Sequence, residues 1–391
     1  MALRETIQSH QTSCSSHRRT AQRQWFEEDW AASKKRTYNF INGSSEQCAG
    51  AAPLLTRPDG TVTGNLLEID TMLHEAWMPT FQLYARTPVP SWDEFEARFH
   101  IYFPARVPFE YRLMTVEMIQ DTLKRMSNDT SAGVDGWRVR ELKALPQLLD
   151  LLADLFNLIE QTGTWPDALC TGVISMIPKG DGMSPSKLRP ISVMPTLYRL
   201  WSATRVGEVL AWQESWAHPN MFGFRHVKGC EDAFWQLSLR VEHALLHDRP
   251  ICGIGLDFAK AFDRIPQEHV FRLASHMGMP EPILGALRNM YSKLRRHFRI
   301  GSFCGAGFHA TNGILQGCPL SIVLLNVLIQ VWMTAVTVEC PGADPFCYAD
   351  DANAVASSRA QLDSVLGVTA DFTRLTNMKL NVPKCAGSLR P

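Results

Sequence analysis

The spacing of apolar side chains predicts several helices along this chain. Apolar positions recur every three to four residues in the stretches 66–78, 139–162, 191–213 and 231–247. We expect Pro79 to end the first of these helices and Pro146 to kink or restart the second, because proline has no backbone N–H to donate inside a helix. Ser91 is placed to cap a further helix that begins near Trp92.

Short uncharged runs predict strands, two of which lie beside acidic residues. Strands are expected at residues 173–177 and 251–256, and on both sides of a turn at 350–351. The second run is typical of a strand buried on both faces, and Asp257 stands where it ends. The apolar residues around Asp350 and Asp351 predict a hairpin that carries both carboxylates at its tip.

A long apolar stretch begins at Pro319 and raises the question of a membrane span. No acidic residue occurs between positions 282 and 338. Asn326, Gln330 and Thr334, however, recur every fourth residue and form one polar stripe along the predicted helix. Such a stripe is typical of a helix packed inside a protein, so we expect no membrane partner.

The composition is that of an ordinary folded protein. The chain has 391 residues, of which 45% are hydrophobic and 20% charged, values that exclude a largely disordered or fibrous protein. Basic and acidic residues balance at 39 each, so a nucleic acid would have to be bound by a local basic patch. The 10 cysteines include no CxxC pair, and the amino terminus has no apolar run of signal-peptide length. We therefore expect an intracellular protein of the cytoplasm or nucleus, not a secreted one.

Asp257 ends an apolar strand, where an ionised carboxylate is costly unless it is paired, caps a helix or binds a metal ion. A dinucleotide-binding turn is excluded, because Phe258 stands where that motif needs its third glycine or alanine and no glycine-rich turn follows. Helix capping and metal binding both remain open for this residue taken alone.

Asp350 and Asp351 strengthen the case for a metal ion. Two carboxylates about 4 Å apart repel by roughly 1 to 4 kcal/mol at dielectric constants of about 80 to 20, so a site that also holds Asp257 favours a cation. Oxygen ligands alone point to Mg²⁺, with Mn²⁺ as a substitute. Because neighbouring strand residues face opposite ways, one member of the pair should be the primary ligand. An exposed turn without a ligand is the alternative for the pair taken alone.

Four segments in the second half of the chain resemble, in order, the palm motifs of reverse transcriptases. They are LDFAKAFDRI (256–265), GILQGCPLSIVLLN (313–326), YADD (348–351) and TNMKLNVPKC (376–385). Upstream, SAGVDGW (131–137), IPKGDGMSPSKLRPIS (177–192) and MFGFRHVKGCEDA (221–233) are similar to finger motifs of the same family. The resemblance extends from Arg57 to the end of the sequence and is greatest to non-LTR, LINE-like retrotransposons.

The resemblance implies an α+β protein with the right-hand polymerase fold, in which an antiparallel palm sheet is backed by helices. It implies a loose N-terminal arm at 1–56, an N-terminal extension and fingers at 57–249 and a palm at 250–391. The sequence ends just after the fourth palm motif, so we expect a thumb, and an endonuclease, to be supplied elsewhere. Ile322 and Leu325 replace the proline and phenylalanine usual in the family, and both should affect packing rather than chemistry.

The activity implied by the resemblance is RNA-directed DNA synthesis by a retrotransposon, with an RNA template, a DNA primer and a dNTP as partners. Asp257, Asp350 and Asp351 match the carboxylates that hold two Mg²⁺ ions around the attacking and leaving oxygens of phosphoryl transfer. Lys384 matches the lysine that protonates the leaving pyrophosphate, and Lys379 is a nearby competitor for that role.

Seven more residues match the nucleotide-binding site of the family. They are Lys179, Arg189, Lys260, Ala261, Phe262, Gln316 and Gly317. Lys179 and Arg189 match the basic pair that neutralises the triphosphate, and Phe262 matches the aromatic gate that leaves no space for a ribose 2′-hydroxyl. From the residues alone, the alternatives are a solvated basic loop for the two cations and an ordinary core aromatic for Phe262.

A third set of basic residues is predicted to bind nucleic acid. The set comprises Arg225, Arg288, Lys293, Arg295, Arg296 and Arg299. Arg225 belongs to the GFR part of a finger motif, and the other five lie in the acid-free stretch together with Tyr291 and Phe298. Cations mixed with aromatic rings suit a nucleic-acid backbone and its bases, and a solvated basic helix is the alternative.

Other functions compete with this interpretation of the whole chain. An intron-type reverse transcriptase is the nearest enzyme, and an RNA-dependent RNA polymerase is disfavoured by Phe262. A degenerate copy that only binds RNA or a protein partner is disfavoured because Asp257, Asp350 and Asp351 are all intact.

Overall fold

A computed structural model of the chain describes residues 54–179 and 183–390. The N-terminal arm predicted at 1–56 lies almost entirely outside these residues, as do positions 180–182 of a finger motif. The part from Leu54 onward forms one compact unit.

Helices account for the larger part of the regular structure. They are α1 (Leu66–Phe81), α2 (Trp92–Phe99), α3 (Val116–Arg125), α4 (Val139–Ala144), α5 (Leu149–Thr162), α6 (Thr196–Glu214), α7 (Cys230–Leu246), α8 (Ala261–Arg264), α9 (Gln267–Met277), α10 (Glu281–Lys293), α11 (Pro319–Glu339) and α12 (Arg359–Thr376). The predicted cap of α2 is confirmed, because the Ser91 hydroxyl accepts a hydrogen bond from the Glu94 N–H. The predicted restart at Pro146 is also present, as a short 3₁₀ turn between α4 and α5.

The strands form two four-stranded sheets and one small hairpin within the described residues. The strands are β1 (Leu55–Thr56), β2 (Val62–Thr63), β3 (Thr171–Pro178), β4 (Leu188–Val193), β5 (Ile251–Asp257), β6 (Arg295–Ile300), β7 (Phe303–His309), β8 (Asp344–Tyr348), β9 (Asp351–Ala356) and β10 (Ala386–Arg390). One sheet has the order β10–β5–β9–β8 and is antiparallel throughout, as expected for a palm. The other has the order β4–β3–β6–β7 and joins β3 to β6 in parallel.

Helix α11 is the centre of the larger hydrophobic core. It is long and apolar enough to cross a membrane by length and composition, yet most of it is buried against the protein. Its polar stripe explains this position, since Asn326 donates to the Gln213 side chain on α6 at 2.9 Å and Gln330 accepts from the His218 N–H at 2.7 Å. Polar side chains that form hydrogen bonds with neighbouring elements in this way are typical of a packed core helix.

Helix α1 covers one face of the β4–β3–β6–β7 sheet. Trp77 and Phe81 of α1 pack on Phe298 and Phe308 of β6 and β7 in a second hydrophobic core. Contrary to the prediction, Pro79 does not end α1, which continues to Phe81. Proline removes only one donor near the helix end, and the burial of Phe81 offsets that loss.

Two other predictions differ from the structure. Residues 191–193 belong to strand β4 and not to the following helix, because they pair with β3. Residues 295–309, placed in the palm by the predicted boundary at 250, form β6 and β7 in the same sheet as β3 and β4 of the predicted fingers. The chain therefore returns to the sheet of the predicted fingers after β5. A single domain boundary at residue 250 cannot describe this arrangement.

Candidate active site

A cleft of about 800 Å³ lies between the two sheets and gathers most of the predicted site residues. Its walls include Lys179, Arg189, Asp257, Lys260, Ala261, Phe262, Gln316, Gly317, Asp350 and Lys384. Of the predicted catalytic and nucleotide-binding residues, Asp351 does not line the cleft. Segments distant in sequence thus converge on one concave surface.

Register in the β10–β5–β9–β8 sheet brings the acidic residues together. Asp257, the last residue of β5, lies directly opposite Asp351, the first residue of β9. Asp350 precedes Asp351 in the turn between β8 and β9. Opposed residues on paired strands have Cα atoms about 5.5 Å apart or less and chain neighbours about 3.8 Å, so the Cα atoms of Asp257 and Asp350 lie within about 9 Å.

Charge around Asp350 favours a cation. Burial raises the pKa of the Asp350 carboxyl, and the nearby carboxylates of Asp351 and Asp257 raise it further, while Arg189 opposes them. Asn381 donates to one oxygen of Asp257 at 2.7 Å, and within residues 54–179 and 183–390 the other oxygen has no side-chain hydrogen-bond partner. The donors are hard carboxylate oxygens, which fit Mg²⁺ or Mn²⁺.

In the described structure, the predicted ligands Asp257, Asp350 and Asp351 are not gathered tightly enough to form a complete metal site. Within residues 54–179 and 183–390, no group of three or more His, Cys, Asp or Glu side chains is close enough to hold an ion as it stands. Asp350 faces the cleft while Asp351 is exposed outside it, as the alternation of strand residues leads one to expect. Of the three predicted metal ligands, Asp257 and Asp350 are therefore the two that line the cleft.

Lys384 lies closer to this chemistry than its competitor Lys379. The Lys384 ammonium is 3.7 Å from the Asp257 carboxylate and lines the cleft. Lys379 instead contributes its backbone carbonyl, which accepts a hydrogen bond from the Ala259 N–H at 2.7 Å, and its side chain lies at a different hollow. The position of Lys384 suits a proton donor to a group bound near Asp257.

Lys179 and Arg189 lie at the mouth of the cleft, on the ends of β3 and β4. Their strands pair, with Ile177 opposite Arg189, and the Lys179 N–H donates to the Lys187 carbonyl at 3.0 Å. Within the described parts of the chain, neither side chain has an ion-pair partner. Both cations are thus available for an anionic ligand.

Lys260 is held by a helix that precedes the predicted finger motifs. Its ammonium lies 4.0 Å from the centre of the Trp77 ring and donates to the Thr80 hydroxyl at 3.0 Å. Burial lowers the pKa of Lys260. Trp77 also lines the cleft, although the sequence marked it only as an apolar position of α1. Periodicity cannot separate a core aromatic from one at the edge of a site.

Phe262 is fixed through its backbone. Its carbonyl accepts a hydrogen bond from the Ile314 N–H at 2.7 Å, and the Ile265 carbonyl accepts from the Gly313 N–H at 2.8 Å. The Asn312 side chain donates to the Asp263 carbonyl at 2.6 Å. Helix α8 and residues 312–317 are therefore one bonded unit, which sets where the Phe262 ring stands in the cleft.

Asp263 is a site residue that the sequence argument missed. It is buried, and its carboxylate accepts a hydrogen bond from the Gln316 amide at 2.8 Å. Burial raises the pKa of Asp263 to about 6, against the opposing effects of the bond from Gln316 and the charge of Arg296. Its place one residue after Phe262 was the available signal.

The backbone conformation and the close neighbours at position 317 explain why this residue is glycine. Its φ is +108°, and a Cβ there would meet the Ser192 carbonyl at 2.9 Å. The Ser192 N–H donates to the Gln316 carbonyl at 2.9 Å, so this loop extends the edge of β4. A side chain at 317 would push the loop off the finger sheet.

The structure separates the predicted nucleic-acid-binding residues into paired, buried and exposed side chains. Arg288 pairs with Glu281, and Lys293 pairs with Asp167 at 2.8 Å. The prediction that Arg296 contacts a nucleic acid is wrong, because its side chain is buried beneath the sheet. Arg295 and Arg299 alternate with Arg296 on β6 and are exposed on the opposite face.

Arg225 also has a structural role that the prediction did not foresee. Its guanidinium donates to the Glu214 carboxylate at 2.7 Å and to the His218 carbonyl at 2.8 Å. This pairing shapes the loop whose Gly223 approaches the turn before Asp350 so closely that a Cβ would lie 2.4 Å from the Ala349 nitrogen. Arg225 thus supports the turn that carries Asp350 and does not line the cleft.

Comparison with known proteins agrees with this geometry. The family described as "Reverse transcriptase (RNA-dependent DNA polymerase)" matches residues 177–390. A Pol polyprotein from the type-2 retrotransposable element R2DM of Drosophila melanogaster is 27% identical over 271 residues, 67% of this chain and 25% of that protein. A probable RNA-directed DNA polymerase from transposon BS of the same fly is 25% identical over 288 residues, 70% and 31% of the two chains.

A third relative comes from a vertebrate. The uncharacterised 149 kDa protein of transposon TX1 from Xenopus laevis is 23% identical over 294 residues, 71% of this chain and 22% of that protein. The chain thus spans between about a fifth and a third of the length of the curated relatives it matches.

Proposed function

This chain belongs to the reverse transcriptase (RNA-dependent DNA polymerase) family, and on that premise we propose that it extends a primer with deoxynucleotides on an RNA template for a retrotransposon. One observation carries the proposal: Asp257 and Asp350 from the palm sheet face Lys179 and Arg189 from the finger sheet across a single cleft. Acidic groups for cations and basic groups for a triphosphate are what nucleotidyl transfer requires.

Asp257 and Asp350, with Asp351 beside them, would hold two divalent cations, Mg²⁺ or Mn²⁺. When bound, such ions neutralise charge on the reacting phosphate and favour the deprotonated primer hydroxyl. Asp257 keeps an oxygen free for this purpose, because Asn381 bonds the other one.

Protein groups supply the remaining functions of the site. Lys179 and Arg189 bind the triphosphate of the incoming nucleotide, for which arginine offers a two-pronged contact. Lys384 donates a proton to the leaving pyrophosphate. Phe262 excludes a 2′-hydroxyl, and Gln316, held by Asp263, contacts the nucleotide or its template base.

The template and the cellular location are part of the same proposal. The printed name of the transposon BS relative is an RNA-directed DNA polymerase, which supports RNA as the template here. All cysteines in the described residues are free thiols, which supports a reducing intracellular compartment.

The test is extension of a DNA primer on an RNA template with Mg²⁺ and dNTPs, comparing the unchanged chain with Asp350→Ala. Loss of Asp350 removes one of the two predicted metal-binding carboxylates that line the cleft. We therefore expect extension to fall by roughly 100-fold or more, equivalent to about 3 kcal/mol of transition-state stabilisation. Asp363→Ala, which changes an exposed aspartate on α12, is the matched control.

Extension that survives Asp350→Ala unchanged would overturn the proposed mechanism. Extension that prefers ribonucleotides would identify an RNA polymerase instead. Absence of extension from a folded chain that still binds RNA would favour a degenerate binding protein.

A further inference from the structure

A tryptophan of helix α1 stands at the edge of the catalytic cleft. Trp77 is 3% exposed and is one of the residues that line the cleft. Helix α1 precedes the first segment that resembles a finger motif, and none of the matched motifs contains Trp77. Its indole nevertheless contacts segments on both sides of the cleft.

The indole N–H of Trp77 holds the turn that precedes β4. It donates to the Pro185 carbonyl at 3.0 Å. The Leu188 N–H donates to the same carbonyl and closes the 3₁₀ turn at Pro185–Lys187. Arg189 is the next residue of the chain. The bond from Trp77 therefore fixes the point from which the Arg189 side chain departs.

A second bond from the N-terminal extension holds the same segment. The Thr56 N–H of β1 donates to the Met183 carbonyl at 3.1 Å. Lys179 is joined to the end of the turn, because its N–H donates to the Lys187 carbonyl at 3.0 Å. Both cations proposed to bind the triphosphate thus depend on a segment that the extension holds at two points.

The Trp77 ring contacts the palm side of the cleft. The Lys260 ammonium lies 4.0 Å from the ring centre and donates to the Thr80 hydroxyl of the same helix. Lys260 has a φ of +52°, a left-handed conformation that is costly for any residue with a Cβ. The two contacts with α1 stabilise this conformation, and so they hold the segment that joins Asp257 to Phe262.

Packing in the core does not by itself require tryptophan at position 77. The ring stacks on Phe81 with the ring centres 5.5 Å apart, a contact that phenylalanine would also make. Compared with phenylalanine, the indole adds one N–H donor. That donor is bonded to the turn before Arg189.

We propose that Trp77 is a positioning residue for the triphosphate of the incoming nucleotide. Its N–H fixes the turn before Arg189 while its ring holds Lys260, so the finger cations stay opposite the carboxylates of the palm. The inference rests on the proposed polymerase function, in which Lys179 and Arg189 bind the triphosphate. A cation held in place before the ligand arrives binds it at a smaller cost in conformational entropy.

The test measures nucleotide binding without catalysis. A primer that ends in a dideoxynucleotide cannot be extended, so a gel shift of the full chain with primer, RNA template and Mg²⁺ gives the affinity for the next dNTP. Trp77→Phe keeps a ring and removes the N–H, and Trp77→Leu removes both. Trp165→Phe is the matched control, because buried Trp165 also donates to a distant carbonyl, that of Ala286 at 2.9 Å, outside the cleft.

We expect Trp77→Phe to weaken dNTP binding by roughly 3- to 10-fold, the range of a single hydrogen bond. Trp77→Leu also loses the contact with Lys260 and should weaken it by roughly 10- to 100-fold. Affinity for the primer–template should not change, and Trp165→Phe should bind the dNTP as the unchanged chain does. In extension of an unblocked primer, the loss should raise the KM for the dNTP and leave kcat nearly the same.

A double-mutant cycle with Arg189→Gln separates positioning from a general loosening of the fold. If Trp77 acts through the turn before Arg189, the loss from Trp77→Phe should shrink to less than about twofold once residue 189 is glutamine. Additive losses would overturn the proposal, and so would an equal loss of dNTP affinity in Trp165→Phe. If Trp77→Leu does not fold, Trp77→Phe and the cycle decide the question.

The polymerase proposal fails separately from this one. A chain that shows the Trp77 effect on dNTP binding but extends no unblocked primer keeps the positioning role and loses the enzyme. A chain that extends primers while Trp77→Phe binds the dNTP as tightly as the unchanged chain keeps the enzyme and loses the positioning role.

Discussion

At the scale of single residues, the site depends on side chains whose backbone is held by other segments. Phe262 shows this, because hydrogen bonds from residues 313 and 314 hold the short helix in which it lies. In the role proposed for Phe262, a backbone held in this way would help one ring to discriminate between sugars that differ by a single hydroxyl.

We predict that Phe262→Ala weakens the exclusion of ribonucleotides. The ratio of kcat/KM for a dNTP to that for the matching NTP should fall by roughly 10- to 100-fold, equivalent to about 1 to 3 kcal/mol. Primer extension with each nucleotide alone measures the ratio. Phe262→Tyr keeps the ring and is the control; an unchanged ratio in the alanine variant would return Phe262 to the role of a core aromatic.

At the scale of elements, buried polar groups join α1, α8 and the loop at 312–317. Asn312 is fully buried, accepts from the Leu83 N–H at 2.9 Å and donates to the Thr80 carbonyl at 2.7 Å and the Asp263 carbonyl at 2.6 Å. One side chain thus connects the end of α1 with the segment that carries Phe262.

We predict that Asn312→Ala destabilises the protein by about 2 to 4 kcal/mol, because it leaves one buried donor and two buried acceptors without their partner. Urea unfolding followed by circular dichroism measures the change in the free energy of unfolding. If the loss is local, nucleotide KM should rise at temperatures where the variant is still folded. A change below about 0.5 kcal/mol would show that the surrounding groups find other partners.

At the scale of the whole molecule, the large core runs from α2 to α12 and includes a histidine. His269 is buried between Trp92 and Phe95. Burial lowers the pKa of His269 to about 4, although Glu268 opposes the shift. The native state therefore holds this ring neutral at pH values where the unfolded chain would protonate it.

The sign of the effect follows from proton binding. Between an unfolded pKa of about 6.5 and a folded pKa of about 4, the unfolded state binds more protons, so stability is lost as pH falls through this window. The shift corresponds to at most about 3 kcal/mol. We predict that His269→Phe flattens the pH dependence of the free energy of unfolding between these values, while the exposed His309→Gln does not. Parallel curves for all three proteins would contradict the assignment.

The sequence by itself determined much of what was local or carried by a motif. Asp257 at the end of a strand, Asp350 in a hairpin turn and the cap at Ser91 were all predicted, because each depends on residues close in the chain. The polar stripe of α11 correctly indicated a packed helix for the same reason. Of the residues that the family resemblance assigned to catalysis and nucleotide binding, all but Asp351 line the cleft.

Only the tertiary structure decided which charges are available to a ligand. Arg225, Arg288 and Lys293 looked as free as Arg299 in the sequence, yet carboxylates distant along the chain or on a neighbouring turn neutralise them. Asp263 and Trp77 reach the cleft through contacts with segments far from them in sequence. Pairing and burial depend on which surfaces meet when the chain folds, and no local pattern contains that information.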